Sequence, residues 1–373
     1  MRFPDFPGHF PGDPIDPGAA LLVEVERLAG RAVVRLERVR FLGIVRPDED
    51  IDLVVTVEGD RARFRATRDG VEVLRGAAVL APLVALAPDP TALRPVRLVP
   101  TLARPMWGGT ALAAEMGKDP DPTARIGESW EVWRENRTSD GRRLADVVDF
   151  PLLVKLLDVR ETLSVQVHPD DAAAQRIVGA PHGKHEGWVV LRAEPGAKVA
   201  YGLNRAMGED ELRARALSGE IEADLAWLEV RAGDVIDVPP GTIHAIGGGV
   251  LFYEVQQPCD LTWRLYDWGR GRPLHLEEAL KVVARAPVAS TAVVRPLGEG
   301  REELLDGAHF HVERLTLPQT RRFEVWEALT VASGELRVGG ERVGFGATLL
   351  LPPGEWRLEG EGTVLAARGG LRG

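Results

Sequence analysis

The sequence predicts a mainly β chain built from three parts. These are a helix wrapped by a curved antiparallel sheet (residues 1–87), a β-sandwich or barrel (88–287) and a second series of short strands (288–373). Two observations carry this reading. After Gly30 the runs AVVRLERVRF, DIDLVVTVEG, RARFRATRDG and VEVLRGAAVL are rich in strand formers and separated by PDED, EGD and RDG turns. From about residue 150 onward, strand-like runs follow one another with no long helical segment between them, which disfavours a (β/α)8 barrel. A length of 373 residues with 45% hydrophobic content leaves room for two or three cores.

The first stretch, PDFPGHFPGDPIDPGAALL, is dense in turn residues. Ala19–Leu28 then suits an amphipathic helix with Ala20, Val23 and Leu28 inward, ahead of the strands. GHFPGDPIDPG, joined to VRFLGIVRPDEDIDLVVTV, resembles the hot-dog fold of the hydroxyacyl thioester dehydratases. That resemblance implies an α+β domain that pairs as a homodimer. It maps the family's histidine onto His9 and its acidic partner onto Val23, with Glu24 adjacent. Neighbouring helical residues point roughly 100° apart, so Glu24 is a poor substitute and His9 with Glu24 reads as a vestigial site. A retained packing or oligomerisation scaffold is the expected role, ahead of thioester binding or dehydration.

APLVALAPDPTALRPVRLVP, with five prolines, reads as a linker, and the boundary is placed near Pro88. The formal charge of −10 argues against a nucleic-acid or membrane-surface partner, while local cations can still hold a small anion. Cys259, the sole cysteine, excludes a disulfide framework and reads as a small buried filler. No signal segment or stretch of about 20 apolar residues is seen, so the cytoplasm is the expected compartment.

In the central part, Trp107 of RPMWGG can line a pocket mouth or plug the core. IGESWEVW reads as a strand with Trp130 and Glu131 on opposite sides. Lys155 interrupts the apolar run FPLLVKLLD, so it either snorkels to the surface or points into an anion-holding cavity. Pro169, Asp170 and Asp171 suit a helix start. PHGKHEGWVVLRAEPGAKVAYGL reads as a loop and a hairpin around Glu194-Pro195-Gly196, with His182 and His185 facing solvent. GEDELRARALSGE is a short helix packed through Leu212, Ala216 and Leu217, and LHLEEALKVVA another through Leu276, Leu280 and Val283.

The chemistry concentrates between Leu163 and Trp268. Gln166 and His168 are two apart on an alternating run, so a strand points both the same way. Glu186 precedes WVVL, and His244 follows the turn PPG. Two imidazoles, a carboxylate and an amide oxygen on neighbouring strands make an N/O cage for a divalent ion such as zinc.

PMWGG, IGESWE, FPLLVKLLD, LSVQVHPDD, GKHEGW, GDVIDVPPGTIHAIGGG and EVQQPCDLTWRLYDW resemble the type I mannose-6-phosphate isomerases in their compact bacterial form. The likeness runs from about Arg97 to the C-terminus and is strong up to His275. It implies cupin barrels, the first holding one zinc ion on Gln166, His168, Glu186 and His244. It also implies substrate contacts at Trp107, Lys155 and Ser164, and catalytic roles for Lys184, Glu254 and Arg264. The implied reaction interconverts mannose 6-phosphate and fructose 6-phosphate through an enediol, with Glu254 preferred as proton shuttle. Two departures stand out: the segment between IGESWE and FPLLVKLLD is brief, and Trp263 stands where a tyrosine is common. The other readings are a thioester-processing bifunctional protein, which Val23 opposes, and a non-catalytic sugar-phosphate binder, which Lys184, Glu254 and Arg264 oppose.

From Val293 the short strands resume, and LLLPPGEWR echoes IDVPPGTIH with Arg357 in the place of His244. This suggests a degenerate cupin-like domain that has lost its metal. His309 and His311 have ligand spacing but no matching partner at such a turn, so they read as non-ligands.

Overall fold

The computed structural model describes residues 33–42, 51–58, 61–80, 94–288 and 292–370. The chain divides into two compact units, Met1–Ala92 with Asp140–Arg142 and Leu93–Ser139 with Arg143–Gly373. The expected helix at Ala19–Leu28, with Val23 and Glu24, lies outside the described residues, as do His9 and the boundary near Pro88. The described residues include no helix long and apolar enough to cross a membrane.

In the first unit, β1 (Val33–Phe41), β2 (Asp52–Glu58), β3 (Arg61–Arg68) and β4 (Val71–Leu80) form an antiparallel sheet in the order β1-β4-β3-β2. Period-2 alternation along β3 buries Ala62, Phe64 and Ala66 and exposes Arg61, Arg63 and Arg65. The buried face joins Ile51, Val73, Leu74 and Ala78. Opposite Phe64 stands Gly76, where a Cβ would lie 2.6 Å from the ring.

The second unit opens with β5 (Val96–Val99), β6 (Thr101–Ala103), α1 (Ala111–Ala114), β7 (Glu128–Val132) and β8 (Arg137–Thr138). There follow β9 (Leu153–Val159), β10 (Val165–Val167), α2 (Asp171–Val178), β11 (Glu186–Ala193), β12 (Lys198–Leu203) and α3 (Glu209–Ser218). Next come β13 (Leu225–Glu229), β14 (Val235–Val238), β15 (His244–Ile246), β16 (Val250–Gln256), β17 (Trp263–Tyr266) and α4 (Leu276–Leu280). The chain ends with β18 (Arg295–Gly298), β19 (Arg301–Asp306), β20 (Phe310–Thr316), β21 (Gln319–Phe323), β22 (Glu327–Val338), β23 (Glu341–Gly344), β24 (Thr348–Leu351) and β25 (Gly354–Gly369).

These strands form a six-stranded sheet (β14-β11-β16-β9-β7-β6) and a five-stranded one (β13-β12-β15-β10-β17). A ten-stranded sheet has the path β18-β19-β20-β25-β22-β24-β5-β8, with β21 and β23 at its side. The fold is predominantly β, and among the described residues no sheet path closes into a ring. From β9 to β17 the chain changes sheet at almost every turn. The expected hairpin at Glu194-Pro195-Gly196 is therefore not one: β11 pairs with β14 and β16, and β12 with β13 and β15. The turn residues announce the reversal and carry no information about the pairing partner.

Alternation then sorts the side chains into layers. On the six-stranded sheet, Val154, Leu156, Val189, Leu251, Tyr253 and Val255 enter one core with Leu305, Phe310, Val312, Leu350 and Ala367 of the ten-stranded sheet. On the five-stranded sheet, Val165, Val167, Ala245 and Leu265 meet α3 and α4 through Leu212, Ala216, Leu276 and Leu280. Leu217, expected inward, is 65% exposed. The inner faces of the six- and five-stranded sheets share a third core that includes Leu157, Trp188, Val199, Ile246 and Phe252. Each fully buried aliphatic or aromatic chain contributes about 1.5–3 kcal/mol of transfer free energy, so this sandwich is a firm platform. The polar members of the same inner-facing positions collect nearby.

Candidate metal centre and active site

Gln166 in β10 is paired in register with His244 of β15 on one side and Arg264 of β17 on the other. Across the sandwich, Glu186 opens β11, Glu254 of β16 pairs with Trp188, and Lys155 of β9 pairs with Glu254. Both faces thus deliver charged groups to one region. His168, Glu186 and His244 offer ligand atoms that all lie within 4.8 Å of one another, and all three are buried.

The orientation of both imidazoles follows from their neighbours. His168 Nδ1 lies 2.9 Å from the Leu261 carbonyl, and His244 Nδ1 lies 2.9 Å from the Thr242 carbonyl. A carbonyl only accepts, so each Nδ1 carries the proton and each Nε2 is left with a lone pair. Burial pushes the His244 ring down to about 3 and also lowers His168, which the charge of Lys184 lowers further, so both rings are neutral at pH 7. Glu186 Oε1 is 3.2 Å from His244 Nε2 and Oε2 is 3.5 Å from His168 Nε2. Burial opposes the ionisation of Glu186, yet the Lys184 ammonium 2.8 Å away holds it well below the usual carboxylate range. Neither Glu186 oxygen accepts a hydrogen bond of acceptable geometry, despite that proximity. Two lone pairs facing an ionised carboxylate whose oxygens accept no hydrogen bond, beside a single ammonium, fit a divalent cation.

Gln166 Nε2 is 3.1 Å from His244 Nε2, and Ser164 Oγ donates to Gln166 Oε1 at 3.5 Å. Turning the nearly isosteric amide over presents Oε1 to the same space, with Ser164 as acceptor for the NH2. Lys184 Nζ is also 3.4 Å from His168 Nε2. Its loop runs tightly against the start of α2. Lys184 N donates to the Pro169 carbonyl at 2.9 Å, and a Cβ on Gly183 would lie 2.4 Å from that oxygen. Asp170, rather than a residue further back, is the N-cap of α2 and accepts from Ala173 N at 2.7 Å; Pro169 therefore precedes the cap.

Lys155 does not snorkel: it is 3% exposed and surrounded by carboxylates. Its Nζ lies 2.5 Å from Asp260 Oδ1, 3.5 Å from Glu128 Oε2 and 3.7 Å from Glu254 Oε1, and 4.6 Å from the Trp130 ring centroid. Burial, reinforced by the negative charge of Glu186, raises Glu254 to about 7, while Lys184 and Lys155 oppose that rise. Glu254 Oε1 is buried and accepts no hydrogen bond. Arg264 donates from Nη1 to the Pro273 carbonyl at 2.7 Å, while its buried Nε donates to nothing.

Among the expected substrate residues, Trp107 is a core plug, 4% exposed in the cluster containing Trp188. The Trp188 ring in turn meets His244 at 5.4 Å between centroids. His185 is not solvent-facing: Nε2 lies 2.7 Å from Asp237 Oδ1, and its ring packs on Phe310 at 4.8 Å. Cys259 is half-buried and burial raises its thiol, in keeping with a filler. Sequence reasoning missed Glu128, Trp130 and Asp260 around Lys155. Trp130 stands opposite Lys155 in the β7–β9 register, and register is not written in either strand alone.

Comparison with known proteins adds five findings. Residues 2–76 match the family model described as ApeI dehydratase, and residues 106–187 match phosphomannose isomerase type I, catalytic domain. A mannose-6-phosphate isomerase of Streptococcus mutans is 32% identical over 314 residues, spanning 73% of this chain and 98% of that protein. The Bacillus subtilis mannose-6-phosphate isomerase ManA is 33% identical over 309 residues, spanning 71% and 96%. A crystal structure of a mannose 6-phosphate isomerase from Bacillus subtilis superposes with a TM-score of 0.67 at 27% identity, covering 74% of this chain and 99% of that one.

Proposed function

The chain belongs to the type I mannose-6-phosphate isomerase family, and on that premise we propose that the buried cluster is a metal-assisted aldose–ketose isomerase site for mannose 6-phosphate and fructose 6-phosphate. The observation that carries this reading is the buried, ionised Glu186 carboxylate, accepting no hydrogen bond, that faces two Nε2 lone pairs of neutral imidazoles. His168, Glu186 and His244, with Gln166 as the fourth donor, would hold the ion, and the donor set suits zinc. Such an ion, when bound, polarises sugar oxygens at the reacting carbons.

The chain's own residues supply the rest. Glu254, raised to about 7, is matched to take a proton from one carbon near neutral pH and return it to its neighbour. The Lys155 ammonium, 3.7 Å away, stabilises the ionised form of Glu254. Asp260 and Glu128 in turn keep that ammonium in place. Lys184 stays charged, because the negative charges of Glu186 and Glu254 outweigh its burial, and it donates to a sugar oxygen as negative charge develops there. Arg264 brings a fixed positive charge and a spare Nε–H to the phosphate, with Ser164 contacting a hydroxyl. The sheets around the site are read as a metal-bearing cupin-type fold (88–287) beside a metal-free one (288–373), and the N-terminal domain (1–87) as a hot-dog scaffold that pairs two chains.

The test is turnover of fructose 6-phosphate in deuterated water. An enediol route in which the protonated base exchanges with solvent before returning its proton predicts mannose 6-phosphate carrying solvent deuterium at C2. Turnover of neither hexose phosphate by metal-replete protein would refute the substrate assignment.

A further inference from the structure

We propose that the hairpin β19–β20 carries a second divalent-cation site, formed by Glu303, Asp306 and His311. These residues offer ligand atoms within 4.8 Å of one another. The register explains the convergence: Asp306 stands opposite His311, and Glu303 opposite Glu313. His311 is buried, with Nδ1 3.2 Å from Asp306 Oδ1 and Nε2 3.2 Å from Glu313 Oε1.

The two carboxylates beside the ring are not equivalent. Glu313 is saturated: Arg301 Nη2 donates to it at 2.9 Å, and Arg321 donates at 2.8 and 3.0 Å. It therefore fixes the ring through Nε2, the arrangement in which the other nitrogen is directed at a metal. Asp306 is 58% exposed, and Glu303 is tied to Arg295, itself 63% exposed, at 3.0 Å. An exposed pair of that kind costs little to break. A cavity of about 160 Å³ opens beside them, lined by Glu303, Asp306, Asp237, Gly307 and Phe310. It has room for an ion and its waters. One imidazole and two carboxylates select a borderline or hard divalent ion, Mn²⁺ or Zn²⁺.

The position gives the ion a structural task. The hairpin tip packs on His185, whose ring centroid lies 5.6 Å from that of His309 and 4.8 Å from that of Phe310. A Cβ on Gly187 would lie 2.4 Å from Leu305 Cδ1, so the strands touch there without clearance. His185 and Gly187 flank Glu186, and a cation linking β19 to β20 braces the strand that presents it. The site stands on its own residues; only this bracing role rests on the reading of the first centre.

The experiment uses the full-length chain, stripped with chelator and dialysed against Mn²⁺ alone, with bound metal counted by elemental analysis. Asp306→Asn changes an exposed residue and keeps the fold. The expected result is about two ions per chain in wild type, about one in His244→Ala, about one in Asp306→Asn and none in the double variant. Mn²⁺ should also raise the Tm of His244→Ala and leave the double variant unmoved. Metal-free His244→Ala, or equal metal in Asp306→Asn and wild type, would overturn the proposal. If His244→Ala instead holds two ions, the first centre is misassigned, and loss of one of them on Asp306→Asn still supports the second.

Discussion

Residues 239–244, PPGTIH, and residues 352–357, PPGEWR, begin with the same tripeptide and place their sixth residue in opposite surroundings. His244 is 0% exposed and turned into the sandwich. The Arg357 side chain is 79% exposed and paired with Glu359 at 2.9 Å. In the second turn the buried place falls to Trp356, whose Nε1 donates to the Pro352 carbonyl at 3.0 Å. Because a strand alternates with period two, a shift of one residue moves the functional position from interior to solvent. The interiors follow suit. The first is lined by Gln166, His168, Glu186, His244 and Glu254, the second by Leu329, Val331, Leu349, Leu351, Leu358 and Val364. One half of the second unit thus has a polar interior in which the Glu186 oxygens accept no hydrogen bond, and the other has an aliphatic one.

This contrast breaks most sharply at His244. Exchange of His244 for Ala should abolish binding at the first centre and cut turnover at least about a thousandfold; unchanged activity would mean the polar interior is not the reaction site. Next in size is Glu254→Gln, expected to cost roughly 10²–10⁴-fold in kcat while metal content holds. With Glu254 raised to about 7 by burial, the base form appears as pH rises, so wild-type kcat should climb through that value and the variant should lose the climb. Its effect on stability has the opposite sense. A folded pKa above the unfolded one stabilises at low pH, and that contribution is lost as pH rises through about 7.

Arg264→Ala should retain the ion and lose roughly 10²–10³-fold in rate, as removal of one charge-stabilising donor does; metal loss there would show that Arg264 serves the centre itself. In the other half, Leu349→Ala should cost about 2–5 kcal/mol of stability and leave turnover per folded molecule unaltered. Smallest of all, Arg357→His should change stability by less than about 0.5 kcal/mol and gain no metal, because the new ring points to solvent.

Much of this was legible from residue order alone. Gln166 and His168 share a face because they are two apart. A glutamate and a histidine set at the edges of apolar runs are anomalies that demand a partner. Leu212 and Ala216 are likewise buried at helical spacing. What stayed hidden depends on pairing. The carboxylates around Lys155 come from three separate segments, and nothing in KLLD names Asp260 or Glu128 as neighbours. His311 has no partner at a matching turn in the sequence, while Asp306 stands opposite it across a strand register. His185 looked exposed in a polar loop until a hairpin more than a hundred residues away covered it. Leu217 failed for a local reason: it sits roughly 100° round the helix from buried Ala216, off the face that Leu212 and Ala216 pack.

The central claim is that the polar half of the sandwich turns over sugar phosphate with a bound ion. Its most direct test is turnover between fructose 6-phosphate and mannose 6-phosphate, measured together with metal content before and after chelation. The account predicts activity that falls with metal loss and returns when Zn²⁺ is restored, in wild type and not in His244→Ala. Full activity in protein stripped of metal would contradict it.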